Sequence, residues 1–217
     1  MKRSTLIEIL TERVVGVVCQ HPVRVAIDGV DGVGKTTLAN ELADALSNYQ
    51  RTVIRASVDG FHNPRSIRYR LGRTSPRGYF QDSFNYSALA NVLLIPLGPS
   101  GTLRYRRAVF NYRIDSGVTT TFETARKDAI LLFDGVFLHR PELLSYWDLS
   151  FFLEAPLEIT IPRVATRDGS SPDVSAPENR RYVDGQQFYL QTCKPQSAAT
   201  IVINNENLSS PEIVTTQ

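Results

Sequence analysis

The sequence has few cysteines and no long apolar run. Its 217 residues include only Cys19 and Cys193, which are far apart and fit no metal-binding spacing. We therefore expect free thiols in a reducing compartment. No apolar run approaches the ~18–20 residues of a membrane-spanning helix. Acidic residues interrupt the apolar positions of the basic N-terminus, which argues against a signal peptide. These absences predict a cytoplasmic protein without a membrane partner.

Acidic residues are almost missing from one part of the chain, residues 64–113. The formal net charge of the chain is only +2, yet this basic segment holds nine arginines and a single acid, Asp82. The arginines are Arg65, Arg68, Arg70, Arg73, Arg77, Arg104, Arg106, Arg107 and Arg113. The pattern fits a solvated basic face, or a surface that meets phosphate or another anion.

Short apolar runs rich in β-branched residues alternate with helical patterns along most of the chain. Strands are predicted at 23–27, 52–58, 129–133, 149–153 and 200–203. Helices are predicted near the N-terminus and at 37–46, 85–97, 156–167 and 178–192. This alternation predicts an α/β fold with a parallel sheet covered on both faces. We expect one domain over residues 1–206, a mobile loop at 168–179 and a disordered tail at 207–217.

A glycine-rich stretch, Gly29-x-x-x-x-Gly34-Lys35-Thr36, follows the first predicted strand and opens a predicted helix. The pattern is that of a phosphate-binding loop, whose backbone N–H groups surround phosphate oxygens at a positive helix end. We expect Lys35 to bridge the β- and γ-phosphates and Thr36 to bind Mg²⁺. The alternative is a glycine-rich turn with a surface lysine. The predicted nucleotide-binding residues are Gly29, Asp31, Gly32, Val33, Gly34, Lys35, Thr36 and Thr37.

Two further carboxylates end predicted strands. Asp134 follows the apolar run at 129–133, and Asp59 follows the run at 52–58. Since open parallel sheets bind ligands at the carboxyl ends of their strands, we expect both beside the phosphate-binding loop. Asp134 would hold Mg²⁺ or its water shell, and Asp59 would face the γ-phosphate. The alternative for each is an aspartate in a turn, because Asp-Gly is a common turn sequence.

The stretch Asp59-Gly60-Phe61-His62 resembles the Asp-x-Phe-Tyr that follows the phosphate-binding loop in uridine kinases and their relatives, the pantothenate kinases and phosphoribulokinases. The likeness covers about residues 23–205. It implies a P-loop NTPase fold, a three-layer sandwich with a five-stranded parallel sheet and a small lid. It also implies that Asp59 is the catalytic base, acting with Lys35.

The same resemblance extends to weaker segments. Residues 162–170 match the start of the arginine-bearing lid of that family, which makes Arg163 a candidate nucleotide contact and Arg167 a candidate catalytic residue. The acceptor contacts proposed from the likeness and from nearby residues are Phe61, His62, Asp82, Tyr112 and Arg113. Asp115 and Gly117 stand where the uridine kinases have the His and Arg of a His-Ser-Arg signature. Specificity for uridine is therefore not implied.

These features predict an enzyme that uses ATP and Mg²⁺ to phosphorylate the hydroxyl of a small molecule, foremost a nucleoside. Pantothenate, a sugar phosphate or thymidylate are alternative acceptors, although Asp134 lacks the Arg-(Tyr/His) of thymidylate-type kinases. A regulatory GTPase would carry Asn-Lys-x-Asp, which is absent. Arginines interleaved with aromatic residues leave an RNA-binding P-loop ATPase as a reading from another class. We expect no nucleic-acid partner, and a homo-oligomer stays open.

Overall fold

A computed structural model describes residues 1–216, in which helices surround a central sheet. The strands are β1 (Val23–Gly29), β2 (Val53–Ser57), β3 (Arg104–Tyr105), β4 (Phe110–Asn111), β5 (Ser116–Gly117), β6 (Glu123–Thr124), β7 (Ile130–Asp134), β8 (Leu149–Glu154), β9 (Ile201–Asn204) and β10 (Glu212–Thr216). The α-helices are α1 (Arg3–Val15), α2 (Lys35–Leu46), α3 (Arg65–Arg68), α4 (Pro76–Asp82), α5 (Tyr86–Leu89), α6 (Pro141–Leu144), α7 (Leu157–Asp168), α8 (Arg180–Cys193) and α9 (Pro195–Ala198).

The central sheet has six strands in the order β2-β7-β1-β8-β9-β10. The first five are parallel, as the sequence predicts, and β10 pairs antiparallel with β9. The prediction of a five-stranded sheet is therefore corrected to six. The prediction of a disordered tail is wrong for Glu212–Thr216, because these residues hydrogen-bond to the otherwise open edge of β9. Gln217 lies outside the described residues.

The sheet separates two apolar layers, because successive side chains of β1 point to opposite faces. Val25 and Ile27 pack with Leu10 of α1 and Leu42 of α2 on one face. Ala26 belongs to the other layer, which also contains Phe133 of β7 and Tyr189 of α8. Burial of each large apolar side chain stabilises such a core by about 1.5–3 kcal/mol. The predicted three-layer α/β sandwich is thus confirmed.

The region between β2 and β7 differs most from the sequence prediction. The helix expected at 85–97 is α-helical only over Tyr86–Leu89 and continues as a π-helical turn over Ala90–Leu94. Beyond it, β3 pairs with β6 and β4 pairs with β5 in two short antiparallel ribbons that the sequence did not reveal. The β4 ribbon contacts the turn after β2, since the Val109 N–H donates to the Gly60 carbonyl at 2.9 Å.

The parallel strands bring three functional segments to one edge of the sheet. The glycine-rich loop follows β1, Asp59 lies in a 3₁₀ turn after β2, and Asp134 is the last residue of β7. In register, Asp134 lies opposite Ile27 of β1 and Ser57 of β2. Over residues 1–216, no helix combines the length and the apolar character that crossing a membrane requires.

Candidate active site

The glycine-rich loop adopts a conformation that requires glycine at two positions. Gly32 and Gly34 have φ angles of 75° and 99°, in the region that side chains with a Cβ rarely adopt. A Cβ added to Gly32 would also lie 2.3 Å from the carbonyl oxygen of Thr160 in α7. Gly34 is the N-terminal cap of α2, which starts at Lys35. The loop therefore lies close against α7 and leads into a helix N-terminus, the usual place for a bound phosphate.

Contacts from distant elements hold this loop in place. The Asn205 side chain donates to the Val33 carbonyl at 2.6 Å, and the Tyr79 hydroxyl donates to the Asp31 carboxylate at 2.8 Å. Gln186 of α8 accepts from the Asp31 N–H. Lys35 donates to the Val30 carbonyl at 2.8 Å, so its ammonium group lies over the loop. The shape of the loop is thus fixed by the chain around it as well as by its glycines.

A buried hydrogen-bond network anchors the start of the loop. The Asp28 carboxylate, fully buried, accepts from the Gly29 N–H at 2.7 Å and from Nδ1 of His139 at 2.7 Å. It also accepts from the backbone N–H groups of Leu138 and His139 and from the Tyr189 hydroxyl. Burial and the Asp28 charge raise the pKa of Tyr189 well above its ordinary value. No local sequence pattern indicates this network, because its partners lie 111 and 161 residues from Asp28.

Thr36 and Asp134 present two oxygen ligands side by side. The Thr36 hydroxyl donates to Oδ2 of Asp134 at 2.7 Å, and Arg55 donates to Oδ1 of the same carboxylate at 3.0 Å. Arg55 offsets the charge of a carboxylate that is almost fully buried and fixes its orientation. Within residues 1–216, no cluster of three His, Cys, Asp or Glu side chains could hold a metal ion. The pair fits Mg²⁺, which takes few protein ligands and completes its shell with phosphates and water.

Asp59 lies where the floor of the cleft meets the turn after β2. Its side chain is 60% exposed to the cleft, but the surrounding walls still remove part of its hydration. This burial raises the pKa of the Asp59 carboxyl above its ordinary value, and Asp31 and Asp134 add to the rise, while His62 and Lys35 oppose it. A carboxyl with a raised pKa is a better proton acceptor near neutral pH.

His62 lies next to Asp59 and is held between two aromatic rings. The ring centroids of Phe84 and Tyr112 are 4.6 and 4.7 Å from the imidazole centroid. The imidazole Nδ1 is 3.0 Å from the Asp59 carbonyl oxygen. Burial lowers the pKa of His62 below its ordinary value, although the contact with Asp59 works against this shift. The imidazole therefore lies where it can contact a polar group bound beside Asp59.

These segments surround a cleft of about 950 Å³. The cleft collects most of the residues that the sequence predicts for the site. They are Asp31, Gly32, Gly34, Lys35, Thr36, Thr37, Asp59, His62, Tyr112, Arg113, Asp134, Arg163 and Arg167. A volume of this size is in the range of pockets that hold a small-molecule ligand.

Four predicted residues do not line the cleft. Phe61 is fully buried and packs 6.1 Å, between ring centroids, from Phe133, so its assignment as an acceptor contact is corrected to a core residue. Asp82 is also buried, where Arg70 donates to both of its oxygens, and its assignment is corrected to a structural ion pair. The side chain of Val33 belongs to the core, and Gly29 is the buried last residue of β1.

The two arginines predicted for the lid lie in α7, the helix that packs against the glycine-rich loop. Arg163 donates to the Asn205 and Glu206 carbonyls after β9. Arg167 forms two hydrogen bonds with the neighbouring Asp168, at 2.7 and 2.8 Å. The loop between α7 and α8 contributes Ser170, Glu178 and Asn179 to the cleft wall. Closure of this segment over bound ligands stays a prediction.

Several residues of the cleft wall were not among the predicted site residues. Arg65, Arg68 and Tyr69 come from the short helix α3 and its end, and Tyr182 comes from α8. Arg181 is buried and donates to backbone carbonyls of residues 68, 72, 73 and 75, so it ties α8 to this part of the wall. Arginine clustering in the basic segment was the available signal, but it did not tell which guanidinium groups reach the cleft.

Comparison with known proteins identifies the fold. No protein-family model matches the chain. A possible uridine kinase from Bacillus stearothermophilus superposes with a TM-score of 0.72 and 22% identity, over 92% of this chain and 97% of the other. A candidate fructose transport system kinase from Silicibacter superposes with a TM-score of 0.68 and 22% identity, over 88% of this chain and 95% of the other. Phosphoribulokinase from Rhodobacter spheroides superposes with a TM-score of 0.58 and 16% identity, over 85% of this chain and 70% of the other. The chain has the fold of the uridine kinase-like P-loop kinases.

Proposed function

We propose that the protein is a kinase that transfers the γ-phosphoryl group of ATP to a hydroxyl group of a small molecule. One observation carries this proposal. The glycine-rich loop, the Thr36–Asp134 oxygen pair and the Asp59 carboxyl line one cleft at one edge of the sheet. Phosphoryl transfer needs these parts together, since it depends mainly on positioning and on compensation of phosphate charge. The kinases of similar fold support the same reaction class.

Each residue would have a distinct task in the reaction. The N–H groups of the loop and Lys35 would hold the phosphates, and Arg163 and Arg167 would compensate charge from α7. Asp59 would accept the proton of the acceptor hydroxyl. The hydroxyl oxygen would then bond to the γ-phosphorus while the bond between that phosphorus and the ADP oxygen breaks. Thr36 and Asp134 would hold Mg²⁺, which supplies compensation of phosphate charge.

The proposal also concerns the chemical class of the molecule that accepts the phosphoryl group. A nucleoside is the first class to screen, with pantothenate, sugar phosphates and thymidylate as the other small-molecule acceptors. The reading as an RNA-binding ATPase gains little support, because several arginines of the basic segment are already engaged. Arg70 pairs with Asp82, and Arg107 pairs with Glu123 at 2.6 Å. A cytoplasmic location stays a prediction.

The experiment is a screen for ADP release over candidate hydroxyl acceptors, with ATP and Mg²⁺ present. Lys35→Ala tests the phosphate-binding role in parallel, because removal of one preorganised charge contact in such a site lowers kcat by ~10²-fold or more. Arg51→Ala is the matched control, since Arg51 donates to the Asp128 carbonyl, away from the cleft. Near wild-type turnover of Lys35→Ala, or failure of the wild type to bind an ATP analogue, contradicts the proposed function.

A further inference from the structure

The nine arginines of the basic segment divide into two groups in the fold. Six lie outside the cleft, where Arg70 and Arg107 form ion pairs and the others contact aromatic rings or an amide. Arg73 lies over the Tyr69 ring, and Arg77 donates a hydrogen bond to the Gln81 side chain. Arg104 and Arg106 both lie over the Phe122 ring. The remaining three, Arg65, Arg68 and Arg113, line the cleft and form what we call the arginine cluster.

The cluster is only partly neutralised by the protein. Arg68 is 9% exposed and donates from Nη2 to Asp115 at 3.1 Å, while its Nε is buried without a hydrogen-bond partner. The Arg65 guanidinium forms no ion pair among the described residues, and the charge of Arg113 faces solvent. Asp115 therefore pairs with only one of the three guanidinium groups, that of Arg68. Buried guanidinium donors are normally satisfied, so the partnerless Nε of Arg68, beside the exposed Arg65 and Arg113, leaves this wall able to receive an anion.

Asp115 also explains how the cluster is assembled. Its Oδ1 accepts from the Arg65 backbone N–H at 2.9 Å as well as from Arg68, although Arg65 lies 50 residues away in sequence. The contact joins the start of α3 to the β4–β5 turn, which also carries Arg113. Asp115 has a φ of 53°, so the turn holds an unusual backbone conformation where this contact forms. The cluster is thus built by the fold, and is more than a run of surface arginines.

The cluster lies on the acceptor side of Asp59. Asp59 and His62 follow β2, the Tyr112 ring packs on His62, and Arg113 is the next residue. Tyr112 foremost, and then Asp59 and Asp168, raise the pKa of Arg113 above its ordinary value. Other charges nearby are Arg181, which donates to the Arg68 carbonyl, and Arg167, which pairs with Asp168. Glu178 lies on the α7–α8 loop. An acceptor with its hydroxyl at Asp59 would therefore direct its other end to the arginines.

We propose that the acceptor carries an anionic group, a phosphate or a carboxylate, which binds the arginine cluster while its hydroxyl faces Asp59. This inference rests on the proposed function, and it narrows the acceptor to an anionic small molecule. Guanidinium groups suit this role because their paired N–H donors match the oxygens of phosphate and carboxylate. A neutral nucleoside would leave these donors without a partner.

The first experiment measures a second anion site when the phosphate-binding loop is already filled. The protein is saturated with Mg²⁺ and the ATP analogue AMPPNP, and inorganic phosphate or acetate is titrated by calorimetry. Arg65→Gln and Arg113→Gln should weaken binding of the preferred anion about tenfold, since each removes one charge-assisted contact. Arg77→Gln and Arg104→Gln, which remove exposed arginines of the same segment outside the cleft, should leave it unchanged.

The outcomes separate this inference from the proposed function. A wild type that fails to bind AMPPNP rejects the kinase assignment itself. Normal AMPPNP binding without a second anion site rejects only the inference, as does a site that Arg65→Gln and Arg113→Gln leave intact. Binding of phosphate but not acetate assigns a phosphate group to the acceptor, and the reverse assigns a carboxylate.

The second experiment compares anionic acceptors with neutral analogues that carry a hydroxyl or hydroxymethyl group in place of the anion. The pairs are pantothenate and pantothenol, D-ribose 5-phosphate and D-ribose, and glycerate and glycerol, with uridine as the neutral nucleoside. ADP release should be faster with anionic members, and Arg113→Gln should raise the KM of the preferred acceptor about tenfold with a smaller change in the KM of ATP. A neutral compound that outperforms every anionic one overturns the inference.

Discussion

The two walls of the cleft are built in different ways. The nucleotide wall is one continuous stretch, residues 29–36, with glycines at fixed positions and a helix directly behind it. The acceptor wall consists of residues from separate segments: the turn after β2, α3, Ser83 and Phe84, and Tyr112 and Arg113. A continuous segment can be recognised as a sequence motif, whereas residues from separate segments come together only in the folded chain.

The contacts that stabilise the two walls differ as well. The nucleotide wall rests on the buried Asp28 network and on hydrogen bonds from α4, α8 and the loop after β9. The acceptor wall is held by Asp115, by ring contacts around His62, by the buried Arg181 and by backbone hydrogen bonds. Loss of a buried carboxylate partner costs more than loss of an exposed contact. The nucleotide wall should therefore tolerate change less well than the acceptor wall.

Asp59 belongs to the point where the walls meet, and its replacement should have the largest effect. Asp59→Asn should lower kcat by ~10³-fold, because the amide cannot accept the acceptor proton. Binding of an ATP analogue should stay near the wild-type level. Activity assays paired with calorimetry check both parts, and Asp44→Asn, on the exposed face of α2, is the control. Equal loss of activity and of nucleotide binding would show that Asp59 supports the nucleotide wall instead.

Gly32 tests the nucleotide wall alone. Gly32→Ala should raise the KM of ATP about tenfold or more and destabilise the fold by about 1–3 kcal/mol, because its Cβ collides with the Thr160 carbonyl. Gly169→Ala is a matched control, since Gly169 has a φ of 73° with no atom within 4 Å of an added Cβ. The control carries the backbone strain without the collision. Equal effects of the two changes would assign the loss to strain.

Tyr189 tests whether the buried network supports the nucleotide wall. Tyr189→Phe removes one donor to the Asp28 carboxylate and should lower the free energy of unfolding by about 1–3 kcal/mol. The KM of ATP should rise, while the KM of the acceptor should not. Urea unfolding and steady-state kinetics check this result, with the exposed Tyr49→Phe as the control. A rise confined to the acceptor KM would contradict the division between the walls.

Replacement of His62 should have the smallest effect, which is a change in the pH dependence of kcat/KM. The base must be deprotonated, so kcat/KM should fall as pH decreases through the raised pKa of Asp59, above the usual range of an aspartate. Because a protonated His62 lowers that pKa, His62→Gln should move the acidic limb to higher pH. His21→Gln, far from the cleft, should not move it. A shift to lower pH would reject the coupling.

The sequence reveals the nucleotide wall far better than the acceptor wall, for physical reasons. The loop glycines, Thr36 and the strand-ending carboxylates act from positions that local pattern and parallel strands determine together. Phe61 was misassigned because the 3₁₀ turn after β2 directs it into the core, only two residues from Asp59. The partners of Asp28 lie 111 and 161 residues away, at His139 and Tyr189, and no local pattern connects them.

The antiparallel strand β10 lies at the rim of the sheet, where β9 would otherwise offer unpaired amides beside Ile201 and Ile203. Its pairing shifts register between Ile213 and Thr215, and most of its residues are exposed. A regular, apolar rim is a template on which further chains can add as strands and aggregate. The irregular, threonine-bearing outer strand hinders such stacking between molecules, and a chain cut ahead of Glu212 would leave its rim open to it.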